Sequence, residues 1–209
     1  MTVSSNGAIQ MTFLKGENPH HPKPGSTIKV DPIRDKLAIQ KIKQTLVKNP
    51  RNLCFFTFGL NTGYRASELL SIRVEQVRYL KSGDLLDVKQ PKTKRYRQVK
   101  INRVTYESIQ SLLAWKELND NEPLFMGQRG LLKVSTVSRM VKTWCEQVGL
   151  NGHYGSHTLR KTWGYWQRME RNTQIPLLME AFGHTTQQQT LQYLGIQSDE
   201  IAAIYDLEL

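Results

Sequence analysis

Cysteine is scarce in this chain: the two residues, Cys54 and Cys145, lie far apart in apolar surroundings. That placement reads as buried free thiols, not a disulfide framework, and no CxxC or HExxH spacing offers a zinc site. Glycine (14) and proline (8) are scattered without period through 209 residues, which excludes a collagen-like or coiled-coil rod. The purely apolar runs, such as residues 53–56 and 177–179, are far shorter than the roughly 20 residues a membrane span needs. The start, MTVSSNGAIQ, lacks the basic-then-apolar layout of a secretion signal, so the expected location is the cytoplasm, with no membrane partner. With 39% apolar residues the chain has material for one buried core and is too apolar for wholesale disorder.

Acidic residues are also in deficit, 18 against 29 Lys and Arg, leaving a formal charge of +11. A polyanion is the natural partner for such a surplus, because cations that neutralise phosphates release condensed counterions. The charge is segregated. Residues 89–100, KQPKTKRYRQVK, hold six bases and no acid, whereas 199–209 hold four acids and no base.

Turn-forming residues dominate 1–30, which reads as an extended N-terminal arm. From Asp31 the periodicity becomes helical: Ile33, Leu37, Ile39, Ile42 and Leu46 predict a helix over 32–48, with Asp31 as N-cap ahead of Pro32. Further helices are expected over 51–60, from Ser67, and near 103–118, 135–148, 157–171, 174–182 and 187–194. LLDV and YRQVKI alternate around a polar PKTK and predict one β-hairpin with a projecting basic turn. The expected fold is mainly α with a small antiparallel β-sheet (α+β), without internal repeats.

Four segments concentrate phosphate-binding and proton-transfer groups: TGYRASELL around Arg65, PKTKR around Lys92, SHTLRKTW around His157 and Arg160, and FGHTTQQQTLQYLGI around His184 and Tyr193. Singly, each is a weak signal that reads more readily as a cap, a satisfied histidine or a core tyrosine. In this order, across 31–197, they resemble the catalytic domain of the tyrosine recombinase (phage integrase) family. The first arginine box is Thr62 to Leu69, the HxLR box is His157 to Arg160, and the GH box is Gly183 and His184, with Tyr193 in the place of the nucleophile. The family's lysine lies in a hairpin turn. Aligning Arg97-Gln98-Val99 with the basic-x-Val that follows that turn favours Lys92 over Lys94.

The resemblance implies a site-specific recombinase that breaks and rejoins double-stranded DNA through a covalent 3′-phosphotyrosine, with no metal or ATP cofactor. Arg65 and Arg160 would present planar forks to the nonbridging oxygens of the scissile phosphate. His157 and His184 would add hydrogen bonds, and His157 could take the tyrosine proton. Lys92 would protonate the departing 5′ oxygen and Tyr193 would attack phosphorus. Glu68 is expected to support the site, and Lys89, Lys94, Arg95 and Lys100 to hold backbone phosphates. The rival readings are a noncatalytic DNA-binding regulator and a nicking, topoisomerase-like enzyme.

Most relatives carry a further DNA-binding domain before the first arginine box. Only 64 residues precede Arg65, so the expectation is a recombinase of the short fimbrial phase-switching type, with a truncated chain as the alternative. It would grip one DNA face, bind as a monomer in free solution, and assemble as a homotetramer on synapsed sites with a helper DNA-binding protein at the nucleoid. The tail, 198–209, either packs on its own domain or docks on a neighbouring subunit.

Overall fold

Asn49-Pro50 and Thr62-Gly63 bracket the helix around which the molecule is built. In the computed structural model, which describes residues 29–89, 96–127, 130–196 and 198–208, α2 (Pro50–Thr62) starts with the Asn49 side chain accepting from Asn52 N. Proline at its first turn suits a position whose N–H has no helical acceptor, and Gly63 ends it in the left-handed region at φ +58°. Cys54 to Gly59 are all buried, as expected of a helix enclosed on every side. Around it stand α1 (Lys36–Leu46), α3 (Ala66–Leu70), α4 (Arg103–Trp115) and α6 (Thr158–Arg171), with α5 (Val134–Gln147) against α1 and α3. Phe55 and Phe58 meet Phe125 with ring centroids 5.0 and 6.3 Å apart, and Phe56 meets Trp144 at 5.8 Å. Each fully buried phenylalanine contributes about 1.5–3 kcal/mol. At Gly59 an added Cβ would lie 2.7 Å from Leu159 Cδ1, so glycine there sets the close approach of α2 to α6.

The predicted hairpin forms as β1 (Leu85–Lys89) against β2 (Tyr96–Lys100), antiparallel, with Leu86 opposite Val99 and Lys89 opposite Tyr96. Its base is pinned by Tyr64, whose hydroxyl lies 3.0 Å from the Leu86 carbonyl oxygen and 3.1 Å from that of Arg97. Beyond α6 the chain makes α7 (Ile175–Phe182), α8 (Gln187–Leu194) and α9 (Ser198–Ala202), the last followed by a short 3-10 turn. These elements carry a separate small cluster, Leu178, Phe182 and Leu194, backed by Trp163, Ile175, Tyr193 and Ile196.

Several expectations need correction. The first helix starts at Lys36, and its N-cap is Asp35, whose side chain accepts from Leu37 N at 2.7 Å. Asp31 instead bonds the backbone of His153 through its own N–H (2.6 Å) and its carboxylate (3.0 Å), which keeps 31–34 extended. The helix expected from Ser67 begins at Ala66, with Arg65 at the cap position, and α4 ends at Trp115. A second, two-residue pair, β3 (Met126–Gly127) with β4 (Gly130–Leu131), was not anticipated, being too short to show alternation. Cys54 and Cys145 are buried free thiols, and burial pushes both up to about 12. Among the described residues no helix is long and apolar enough to cross a membrane. The arm read from 1–30 lies, up to residue 28, outside the described residues.

Candidate active site

Two helices end on glycine at the centre of the molecule, and both turn their last carbonyls toward the same arginine. At α2 the Gly63 carbonyl accepts from Arg160 Nη1 at 2.6 Å, and at α7 the Phe182 carbonyl accepts from Arg160 Nη2. Gly183, at φ +62°, closes α7 with Gly183 N on Glu180 O (2.8 Å) and His184 N on Met179 O (3.0 Å), a Schellman arrangement that aims His184 into the site. The negative ends of two helix dipoles therefore face one guanidinium.

Glu68 gathers the cations. It has no exposed surface; its carboxylate accepts from Arg65 N (2.6 Å), Arg65 Nη1 (2.8 Å) and Arg97 Nη1 (3.3 Å), and Arg160 Nη1 lies 3.9 Å away. Arg97 also donates to the carbonyls of Gly63 and Thr62, and its guanidinium stacks on Tyr64 at 4.6 Å. Burial, reinforced by Arg97 and Arg65, lowers the Arg160 guanidinium to about 9, which leaves it cationic at neutral pH. One buried carboxylate thus offsets three clustered positive charges, and the site keeps a net positive field.

Tyr193 lies over this cluster from α8 of the same chain. Its hydroxyl is hydrogen-bonded to His157 Nδ1, and its ring sits 5.7 Å from Arg160 Cζ, 5.4 Å from Lys161 Nζ and 5.0 Å from the His184 ring. Burial raises the phenol above its ordinary range, and the Arg160 and Arg65 charges oppose that rise. His184 stacks on Phe182 with ring centroids 5.0 Å apart, and its Nδ1 lies 3.0 Å from Thr190 Oγ1. Burial first, then Arg160, Arg65 and Arg97, lower it to about 4, so it is neutral at pH 7.

Five of the six catalytic candidates, Arg65, His157, Arg160, His184 and Tyr193, are brought together. The sixth, Lys92, lies outside the described residues, as do Lys94 and Arg95. Lys89, at the turn end of β1, and Lys100, at the base of β2 opposite Leu85, are exposed, with Lys89 Nζ 5.8 Å from the Tyr96 ring. Lys100 borders an open groove of about 1260 Å³ that runs past Arg97, Arg103, Trp163 and Arg171 to His184. Sequence reasoning passed over Arg97 and Lys161, which the fold brings to the edge of the site. The signal for Arg97 was available: alternation puts it on the inward face of β2 with Val99, where a charged residue requires a buried partner. Among the described residues no group of three or more His, Cys, Asp or Glu gathers in a way that suits a metal.

Residues 35–200 match the model of the phage integrase family. A Bacillus subtilis (strain 168) protein described as a probable integrase/recombinase, YoeC, is 33% identical over 179 residues, covering 84% of this chain and 95% of that protein. Among solved structures, XerA recombinase superposes with a TM-score of 0.69 at 20% identity, over 89% of this chain and 65% of that one. XerH recombinase, solved on a palindromic difH substrate after cleavage, gives 0.67 at 22%, over 86% and 54%. At those identities the two structures establish the shared fold, and the chain spans two thirds or less of their length.

Proposed function

The chain belongs to the phage integrase family, and from that premise we propose that it is a site-specific recombinase cutting and resealing duplex DNA through a 3′-phosphotyrosine at Tyr193. The observation that carries this reading is the approach of the Tyr193 hydroxyl to His157 directly over Arg160, with Arg65 and Arg97 joined to Arg160 through Glu68.

In the proposed reaction Arg65 and Arg160 bind the nonbridging oxygens and stabilise the charge gathered in the pentacoordinate transition state. His157, with Nδ1 unprotonated, takes the phenol proton as the Tyr193 oxygen bonds to phosphorus. The bond to the 5′ oxygen breaks, and Lys92 protonates that leaving oxygen. His184 is neutral, and in the tautomer whose Nδ1 accepts from the Thr190 hydroxyl its Nε2–H is the donor toward the phosphate. Attack of a 5′ hydroxyl from another strand reverses these steps and releases Tyr193. Arg97 and Glu68 hold the two phosphate-binding arginines in register. Lys89, Lys94, Arg95 and Lys100 bind flanking phosphates, which places the protein at nucleoid DNA.

The tail is assigned to contact between copies. Ile201, Ile204, Tyr205 and Leu207 are 51–84% exposed on a segment tethered by the Glu200–Arg168 ion pair. Removing 203–208 should therefore leave cleavage intact and abolish strand exchange between two sites.

The test is covalent trapping on a pool of randomised duplexes with the upstream strand labelled at its 5′ end. A nick just beyond the core lets the released 5′-hydroxyl fragment diffuse away. Wild type should yield an SDS-resistant labelled adduct and Tyr193→Phe none. An adduct that persists in Tyr193→Phe removes the assignment of the nucleophile, and DNA binding without any wild-type adduct favours a regulator.

A further inference from the structure

We propose that Arg34 is a positioning residue for the nucleophile: from the strap ahead of α1 it holds the C-terminal end of α8, two residues beyond Tyr193. Arg34 Nη2 donates to the Gly195 carbonyl at 3.3 Å, and Gly195 caps α8 in the left-handed region at φ +63°. The last turn of α8 contains no basic residue of its own. The cation that complements its exposed carbonyls therefore comes from a residue far away in sequence.

The strap is itself fixed. Ile33 is fully buried, its N–H donates to Thr162 Oγ1 at 2.8 Å, and its carbonyl accepts from Trp166 Nε1 at 3.1 Å. Asp31 is tied to the backbone of His153, and the Arg34 guanidinium lies 5.7 Å from the Tyr165 ring. Both His153 and α6 belong to the part of the chain that carries His157 and Arg160. Arg34 thus links the frame of the phosphate-binding groups directly to the helix that presents the phenol. That helix packs on a small cluster of buried apolar side chains and is joined to the site by the bonds of Tyr193 to His157 and of Thr190 to His184, so a restraint at its end helps set where the hydroxyl points. Misplacement of a reacting group by about 1 Å can cost a hundredfold in rate.

This inference rests on the recombinase reading for its kinetic arm and is independent of it for its spectroscopic arm. In single-turnover trapping on the nicked pool, Arg34→Ala should form the adduct about tenfold to a hundredfold more slowly than wild type. Its DNA affinity should not fall, its unfolding midpoint should stay within about 4 °C, and Arg34→Lys should recover part of the rate. Placing a sulfur at the 5′ bridging position makes leaving-group protonation unnecessary and should not rescue Arg34→Ala, because the defect is in attack. With 3-fluorotyrosine at all eight tyrosines, the Tyr193 fluorine resonance, identified by its loss in Tyr193→Phe, should shift or broaden in Arg34→Ala. Apart from Tyr165 and Tyr154, which also sense the Arg34 charge, the other resonances should stay in place. Adduct formation at the wild-type rate, or a loss that only follows the fall in folded protein, overturns the proposal. Should wild type form no adduct, the recombinase reading fails separately, and the fluorine spectrum decides: an unmoved Tyr193 resonance rejects the role of Arg34, and a moved one supports it.

Discussion

The groups assigned to hold phosphate and the group assigned to attack it are mounted on very different foundations. Arg65 and Glu68 belong to the start of α3, Arg97 to β2 and Arg160 to the first turn of α6, all bordering the large cluster that includes Phe55, Phe56, Phe58 and Leu159. His184, in the turn after α7, and Tyr193, on α8, belong to the part whose own core is Leu178, Phe182 and Leu194. A preorganised electrostatic cradle gains from rigidity, because it then pays no reorganisation as charge develops. A nucleophile that must attack, remain covalently attached and be released needs to move. The division teaches that the small cluster is a separate packing unit, joined to the large one by specific ties that include Arg160 to the Phe182 carbonyl, Arg34 to the Gly195 carbonyl, His157 to Tyr193, and the contact of Gly164 with Phe182.

The largest expected effect comes from the residue that belongs to both regions. Arg160→Ala removes the proposed transition-state donor, worth about 10²- to 10³-fold in rate, and also the bridge from Gly63 to Phe182. Adduct formation should fall at least that far, below detection. Arg160→Lys should not restore it, since one ammonium cannot reach two carbonyls and a phosphate in the plane of a guanidinium. Rescue by lysine in the trapping assay would mean that charge alone matters and that the bridge is incidental.

Next is a substitution that pries the regions apart without touching a reacting group. An added Cβ at Gly164 would overlap Phe182 Cζ and lie 3.2 Å from Leu194 Cδ2. Gly164→Val should cost about 1–3 kcal/mol as overpacking, concentrated in the small cluster. Hydrogen exchange should then accelerate across α7 and α8 while α2 and α4 keep their protection, with adduct formation reduced. Uniform loss of protection would show that the two clusters unfold as one.

How much of this was legible in the sequence follows the same division. The helix starts and stops written in Pro50, Gly63 and Gly183 are local signals, and the boxes around Arg65, His157 and His184 carry their chemistry within a few residues. Arg97 and Arg34 act through partners far away in sequence, Gly63 and Glu68 for the first and Gly195 for the second. No local pattern specifies such pairings. Asp31 looked like an N-cap because a following proline suits one; its tertiary bonds to His153 outcompeted that preference, and Asp35 took the cap. The two-residue strands β3 and β4 are shorter than the period that would reveal them.

A subtler effect tests whether the small region is shielded at all. His184 is lowered to about 4 from an ordinary 6.5, so between those values the unfolded chain binds a proton that the folded protein does not. Stability from this group is present above pH 6.5, declines as the pH falls through that window and levels off below about 4. Urea midpoints at pH 7, 5.5 and 4.5 should fall more steeply for wild type than for His184→Gln. Parallel slopes would mean that the imidazole is as hydrated as in the unfolded chain and that α7 and α8 do not enclose it.

The smallest effect concerns how the two regions separate when DNA arrives. Arg160 has no exposed surface, and the Tyr193 ring covers it while its hydroxyl bonds His157. A phosphate reaches Arg160 only after that cover lifts, so the apparent affinity for DNA is lowered by the fraction of molecules that are closed. Tyr193→Phe keeps the ring and loses the hydrogen bond, whose net worth is about 0.5–1.5 kcal/mol. The closed form should weaken by that amount and uncleaved DNA should bind about twofold to tenfold more tightly, measured by anisotropy at fixed salt. Weaker binding instead would indicate that the phenol itself contacts the phosphate in the bound state and that the cover costs nothing to lift. The separate packing of the small cluster would then have no link to substrate entry.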